Sequence, residues 1–352
     1  METTAIDPRP KRKNKALKIA GLSLLGIVLI LVLTVAVMFG GEIASMSSVR
    51  QMGSTDLFTM EYKGDYGLDK FLQVGASSDA DLVVFMSDRL LKGIPLKFDL
   101  PDLSCSTFLA KTPENEYIFG RNFDNKDTPV LMLTTTPKNG YNSVSVVNLS
   151  FIGYNANYLP DKFLNRVLLL AAPYAPLDGV NEKGLAIGVL QIDTVPTRQD
   201  TGKVNITTTS AIRMILDKAA TVDEALDLLQ QFDMCSSAGG CYHFQIADAS
   251  GRSVIVEYIE NEFTVIDGDC ATNFLLAPGD WYNFGGGQAR YEILEKTLEE
   301  KSGVLTEQEG MDLLGAVQQN STQWSVVYNL TKKTAELCLH KDYENPYFFK
   351  VK

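Results

Sequence analysis

Histidine is nearly absent from this chain: His243 and His340 are its two imidazoles. A Ser-His-Asp hydrolase needs an imidazole beside its nucleophile, and a zinc site needs His or Cys at close, regular spacing. Neither pattern is present, and no metal or other cofactor is implied. Cysteine is scarce too, with five residues, Cys105, Cys235, Cys241, Cys270 and Cys338. An odd number in an exported protein leaves one thiol over after pairing, and Cys105 is the candidate. Cys235 and Cys241 flank Ser-Ser-Ala-Gly-Gly and could close a short loop. Positive charge is rare outside the first 18 residues: the remainder holds 26 basic against 41 acidic residues, a balance of −15. Such a body avoids nucleic acid and anionic membrane surfaces. Internal repeats and low-complexity stretches are missing.

What is present begins with a basic cluster. Residues 1–18 hold Arg9, Lys11, Arg12, Lys13, Lys15 and Lys18 against Glu2 and Asp7. A run of 23 uncharged residues follows at 19–41. As a helix it reaches about 35 Å, enough for the hydrocarbon core of a bilayer. A cleavable secretory leader has a shorter apolar stretch. Gly40-Gly41 and Ala44-Ser45 keep that alternative open, but the length favours an uncleaved anchor. Basic residues before the span place the N-terminus in the cytosol and everything after it outside. The chain divides into a basic tail (1–18), a transmembrane helix (19–41), a linker with a helical propeptide (42–104) and a main domain (105–352).

Apolar content of 45% and charged content of 21% are ordinary for a globular protein. Within 42–104, Leu68, Phe71 and Leu72 recur at helical spacing, and 83–91 reads as a second helix ending near Gly93. From Cys105 the texture changes to strands, at 106–112, 116–121, 130–135 and 143–151. An apolar strand at 185–192 is entered through turns at Asp178-Gly179 and 181–184. Helices follow at 207–219 and 221–231, the second capped by Thr221 with Glu224 at the capping-box position. A hairpin at 242–249 and 253–259, helices at 288–301 and 306–317, and strands at 324–329 and 334–340 complete the chain. Strand blocks alternating with helix blocks predict an α+β fold, antiparallel sheets with segregated helices. Sequons at Asn148, Asn205, Asn320 and Asn329 matter only in a eukaryotic secretory route.

Cys105 concentrates the chemistry. Arg121 and Asp124 lie within twenty residues of it. A cut between Ser104 and Cys105 would make Cys105 a chain start, with a free α-amine of pKa about 7.7–8.0. Thiol and amine together form a self-contained acyl-transfer catalyst, nucleophile and proton acceptor in one residue. The alternative is a small buried cysteine in a strand.

Several motifs occur in order: Cys105-Ser106-Thr107, Gly120-Arg121-Asn122-Phe123-Asp124, Asp178-Gly179-Val180-Asn181, the hairpin from His243 through Glu257, Ala271-Thr272-Asn273 and Gln288-Ala289-Arg290-Tyr291. Together they make residues 105 to about 343 resemble the choloylglycine hydrolase and penicillin V acylase family of N-terminal nucleophile hydrolases. The segment before Cys105 looks like the propeptide of N-acylethanolamine acid amidase and acid ceramidase, where self-cleavage exposes an internal nucleophile. The resemblance implies an αββα four-layer sandwich and hydrolysis of a linear amide in a small N-acyl substrate. It makes Cys105 the nucleophile and its amine the base, with Arg121 lowering the thiol pKa and Asp124 orienting the amine. Asn273 would hold the oxyanion, and Arg290 would support the site electrostatically. Gln191 falls where bile-salt hydrolases carry Asn and penicillin acylases carry Tyr, so neither subfamily's substrate preference transfers. His243 reads as a strand residue. Acyl transfer to an amine is a close variant, and a non-catalytic membrane-tethered binding protein of the same fold is a second class. A homo-oligomer is compatible with all of these readings.

Overall fold

The computed structural model describes residues 11–98 and 103–352, except the side chains of 11–16, 31–33 and 35–38. Most of the expected basic tail therefore lies outside the described residues. Two β-sheets form the centre. One has nine strands in the order Arg50–Gln51, Leu57–Tyr62, Val130–Thr135, Ser143–Asn148, Pro176–Asn181, Ala186–Ile192, Cys241–Ala247, Ser253–Ile259 and Glu262–Asp267. The other has six, Cys270–Ala271, Ser104–Lys111, Tyr117–Asp124, Thr322–Asn329, Thr334–Leu339 and Tyr347–Lys350.

The sheets lie face to face. A Cβ on Gly188, in the nine-stranded sheet, would sit 3.1 Å from Thr107 Cγ2 and 3.3 Å from Arg121 Cδ of the other. Glycine at 188 lets the sheets approach around the arginine. Helices Thr208–Lys218 and Val222–Leu229 cover the outer face of the nine-stranded sheet. Helices Gln288–Glu300 and Glu307–Ala316 cover that of the six-stranded sheet. The order is helix, sheet, sheet, helix, the layering that the family resemblance implies. The central strands of both sheets are buried along nearly their whole length, which explains their continuous apolar texture.

Two stretches differ from their sequence reading. Leu57–Tyr62, inside the segment read as helical, is a strand parallel to Val130–Thr135, and Leu57, Phe58, Met60 and Tyr62 are buried. The stretch read as a turn at Asp178-Gly179 is a fully buried strand, Pro176–Asn181. Here composition misleads, because Gly179 is required by packing: a Cβ would meet Val144 O at 2.6 Å. The start of the 42–104 segment is helical as well, since a helix runs from Lys11 to Ser48. Its end is fastened to the strand beyond: Ser45 Oγ accepts from Lys63 N at 2.6 Å and donates to Lys63 O at 3.0 Å.

Among the described residues no helix is long and apolar enough to cross a membrane. The expected span at 19–41 loses the side chains of 31–33 and 35–38 from that description. The disulfide suggested for Cys235 and Cys241 is not formed. All five cysteines are free and buried, with Cys235 Sγ directed to Asn205 Oδ1 and Cys241 Sγ to Thr197 Oγ1. The sequon residues Asn148 and Asn329 are buried.

Candidate active site

Cys105 is the second residue of strand Ser104–Lys111, paired with Phe123 of the neighbouring strand. That register brings the strands' polar residues together at one end of the six-stranded sheet: Ser104 lies opposite Asp124, and Thr107 opposite Arg121. The Cys105 sulfur is fully buried and accepts from Arg121 Nη2 at 3.3 Å. Its backbone nitrogen donates to Asn273 Oδ1 at 2.7 Å. Arg290 Nη1 donates to the Cys105 carbonyl at 2.5 Å and to Ser106 Oγ at 2.6 Å. Cys105, Arg121, Asp124, Asn273 and Arg290 thus converge from three strands and a helix.

Arg121 spans the space between the sheets. Its Nε donates to Asp178 Oδ2 at 2.8 Å, with both side chains fully buried. Asp178 also accepts from Trp324 Nε1 at 3.2 Å and from the Tyr328 hydroxyl. A buried charge pair needs such extra hydrogen bonds to offset its desolvation. Phe123 stacks on Trp324 with ring centroids 4.0 Å apart. The arginine's charge is therefore held in one orientation, against the sulfur.

Its effect on the thiol is smaller than the sequence reading expected. Burial pushes the Cys105 thiol pKa up, and the opposing pull of Arg121 does not overcome it. Burial likewise raises Asp124, against the hydrogen bonds of Thr322 and Gln319. In the uncut chain the resting state is a neutral thiol.

Asp124 does not touch the Cys105 nitrogen. Its carboxylate accepts from Gln319 Nε2 at 2.6 Å and Thr322 Oγ1 at 2.5 Å, with Arg290 Nη1 3.8 Å away. The acceptor facing that nitrogen is Asn273. Asn273 Oδ1 also takes Arg290 Nη2 at 2.8 Å, while its Nδ2 donates to Gln191 O at 2.8 Å. Its amide is thus turned with the oxygen toward Cys105, opposite to an oxyanion donor. Gln191 Oε1 accepts from Leu103 N at 2.5 Å, holding the chain just ahead of Ser104.

His243 is buried in its strand, between Glu257 Oε1 at 3.1 Å and Thr272 O at 2.7 Å. Glu257 also accepts from the amides of Leu276 and Ala277. Burial pushes this carboxyl up, but the His243 contact and the two amides hold it low overall. The pair fixes the turn that presents Asn273, which is a positioning role.

Gln319 and Thr322 escaped the sequence reading. They sit almost two hundred residues after Asp124, in a stretch whose visible feature was a sequon, Asn320-Ser321-Thr322. Asp178 stood inside a motif, but nothing in its neighbours announced a partner in the opposite sheet. A cavity of about 710 Å³ opens over the site, lined by Leu103, Ser104, Gln191, Asn273, Arg290 and Gln319 among others. No group of three or more His, Cys, Asp or Glu among the described residues could hold a metal ion.

Residues 105–274 match a sequence model of the linear amide C–N hydrolases, choloylglycine hydrolase family. The resemblance read from the motifs is shown over that stretch. A penicillin V acylase from Pectobacterium atrosepticum is 35% identical over 96 residues, 24% of this chain and 26% of the relative. The chain thus spans about a quarter of the length of the curated relative it matches. A mutant conjugated bile acid hydrolase from Clostridium perfringens superposes with a TM-score of 0.50 at 15% identity, covering 70% of this chain and 92% of that one. That likeness is one of fold.

Proposed function

We propose that the chain is a cysteine amidase that cuts a linear amide C–N bond in a small N-acyl substrate, after a self-cleavage that frees Cys105. One observation carries this reading. Cys105 presents its sulfur to a buried guanidinium and its nitrogen to a fixed acceptor, directly beneath a cavity whose wall includes Ser104. A structural cysteine needs neither contact. The matched family and the penicillin V acylase support the reaction class.

Self-cleavage begins when Sγ attacks the Ser104 carbonyl carbon. A C–S bond forms, the C–N bond breaks and the thiol proton passes to nitrogen. Water then splits the thioester, Ser104 ends as a carboxylate, and Cys105 carries a free amine. In turnover the amine accepts the thiol proton as sulfur attacks the substrate carbonyl. It returns that proton to the departing amine, then activates the water that hydrolyses the thioester. Arg121 holds developing thiolate charge at its observed contact. Arg290 is aimed at the peptide unit of Cys105 and supports the electrostatics from that side. Asn273 Oδ1 orients the new amine, and Asp124 holds the Gln319 amide in the cavity wall.

An amine in place of water as final acceptor would give acyl transfer by the same steps. We further propose that the apolar run at 19–41 anchors the chain in a membrane, with the catalytic body outside the cytoplasm. The basic cluster and the length of the run support this. Protease added to intact cells should then reach the body; cleavage only after lysis would contradict it. The activity itself is tested with a panel of N-acyl amides and a measurement of amine release. Activity in Cys105→Ser equal to that of the unchanged protein would sink the amidase reading.

A further inference from the structure

The side chain of Ser104 lines the cavity among polar groups. Its hydroxyl accepts from Gln319 Nε2 at 2.7 Å and from Arg290 Nη2 at 3.0 Å. It donates to Asn273 Oδ1 at 3.2 Å. One hydroxyl thus satisfies three groups, of which Arg290 and Asn273 also contact Cys105. From the structure we infer that the enzyme's preferred acyl group carries a hydroxyl on its third carbon, because Ser104 holds the place such a group later takes. This rests on the amidase reading.

The reasoning is geometric. In self-cleavage the carbonyl attacked by Cys105 belongs to Ser104, and its oxygen-bearing Cβ lies two bonds from that carbonyl. In turnover the substrate carbonyl must again lie within reach of Sγ and beside the Cys105 nitrogen. The atom two bonds beyond it then falls where Ser104 Cβ stood, and a hydroxyl there meets Gln319, Arg290 and Asn273. Once Ser104 withdraws, Arg290 and Gln319 each lose a hydrogen bond in a partly buried setting. A ligand oxygen that restores those bonds is favoured, and a bare hydrocarbon chain is penalised. A 3-hydroxyl matches the site better than a 3-keto group, since the Ser104 hydroxyl also donates to Asn273 Oδ1, a bond that a keto oxygen cannot make. The lining agrees: Leu103 and Phe284 are its only large apolar side chains among the described residues.

The test uses the self-cleaved protein with N-(3-hydroxybutanoyl)glycine, N-(2-hydroxybutanoyl)glycine and N-butanoylglycine, read by glycine release. The expected kcat/KM for the 3-hydroxy amide exceeds both others by at least about tenfold. Gln319→Leu should shrink that ratio toward one, whatever it does to the rate common to all three. Equal kcat/KM for the 3-hydroxy and unsubstituted amides overturns the inference while leaving the amidase reading intact. A ratio unchanged in Gln319→Leu also overturns it. No glycine release from any of the three overturns the amidase reading for this substrate class, and the inference with it.

Discussion

Cys105 and Arg121 make the clearest case for function at the scale of single residues, and Asp178 makes their geometry possible. Removing the Asp178 carboxylate leaves a fully buried guanidinium unpaired, which typically costs about 3–5 kcal/mol. Asp178→Ala should therefore lower the denaturation midpoint strongly, read by urea unfolding. Asp178→Asn should keep more of the fold and lose rate, since Arg121 would no longer be fixed against the sulfur. A second prediction concerns pH. On the proposed mechanism the catalytic form needs a neutral amine at Cys105. Arg290 lies at that residue's carbonyl and Arg121 at its sulfur. Two nearby cations disfavour a third, so the amine should titrate below its ordinary value of about 7.7–8.0. The rate should rise with pH through an apparent pKa in the acidic-to-neutral range that belongs to the coupled thiol and amine. A kcat/KM profile that falls across that range would contradict the assignment. The motif residues were legible in sequence because each carries distinctive chemistry near its neighbours. Gln319 and Thr322 were not, because strand pairing brings them to Asp124 from far along the chain. The raised thiol pKa was not legible either, since burial is a property of the fold and it outweighs the charge that sequence makes visible.

At the scale of elements, the segment before Cys105 is built into the sheet it precedes. Strand Leu57–Tyr62 lies between Arg50–Gln51 and Val130–Thr135. Phe71 and Phe85 from its two helices pack edge-on against Tyr174. Removing residues 1–104 would strip these strands and leave Val130–Thr135 as an open, apolar edge, a template for aggregation. A chain starting at 105 should be insoluble or unfolded by circular dichroism. A chain starting at 42 keeps the Ser45 and Ser48 contacts to the next strand and should fold and retain activity. Phe58→Ala, at a side chain only 1% exposed, should cost about 3–5 kcal/mol in unfolding free energy. The helices of this segment were legible from their periodicity, at Leu68–Val74 and Asp79–Arg89. The strand was not, although buried Phe58, Met60 and Tyr62 alternate with half-buried Thr59 and Glu61: the run is short, and its parallel partner Val130–Thr135 lies far along the chain. Pro176–Asn181 was hidden for a different reason: Asp-Gly is turn chemistry locally, and only the opposing sheet turns Asp178 into a partner for Arg121.

At the scale of the whole molecule, the order helix, sheet, sheet, helix places Cys105 at the end of one sheet, facing the other. The interior between the sheets supplies Arg121 and Asp178, and the rim supplies Arg290, Gln319 and Asn273. In the uncut chain the thiol is fully buried while the cavity reaches Leu103 and Ser104. Cleavage followed by withdrawal of these two residues would open a path from solvent to sulfur. On the proposed mechanism the molecule is a closed precursor whose own chain fills its site. Intact-mass analysis and N-terminal sequencing of the purified protein test this most directly, alongside Cys105→Ala. The account predicts two fragments from the unchanged chain, the larger beginning at Cys105, and one intact chain from Cys105→Ala. An unchanged protein that releases amine from its substrate while remaining a single uncut chain would contradict it.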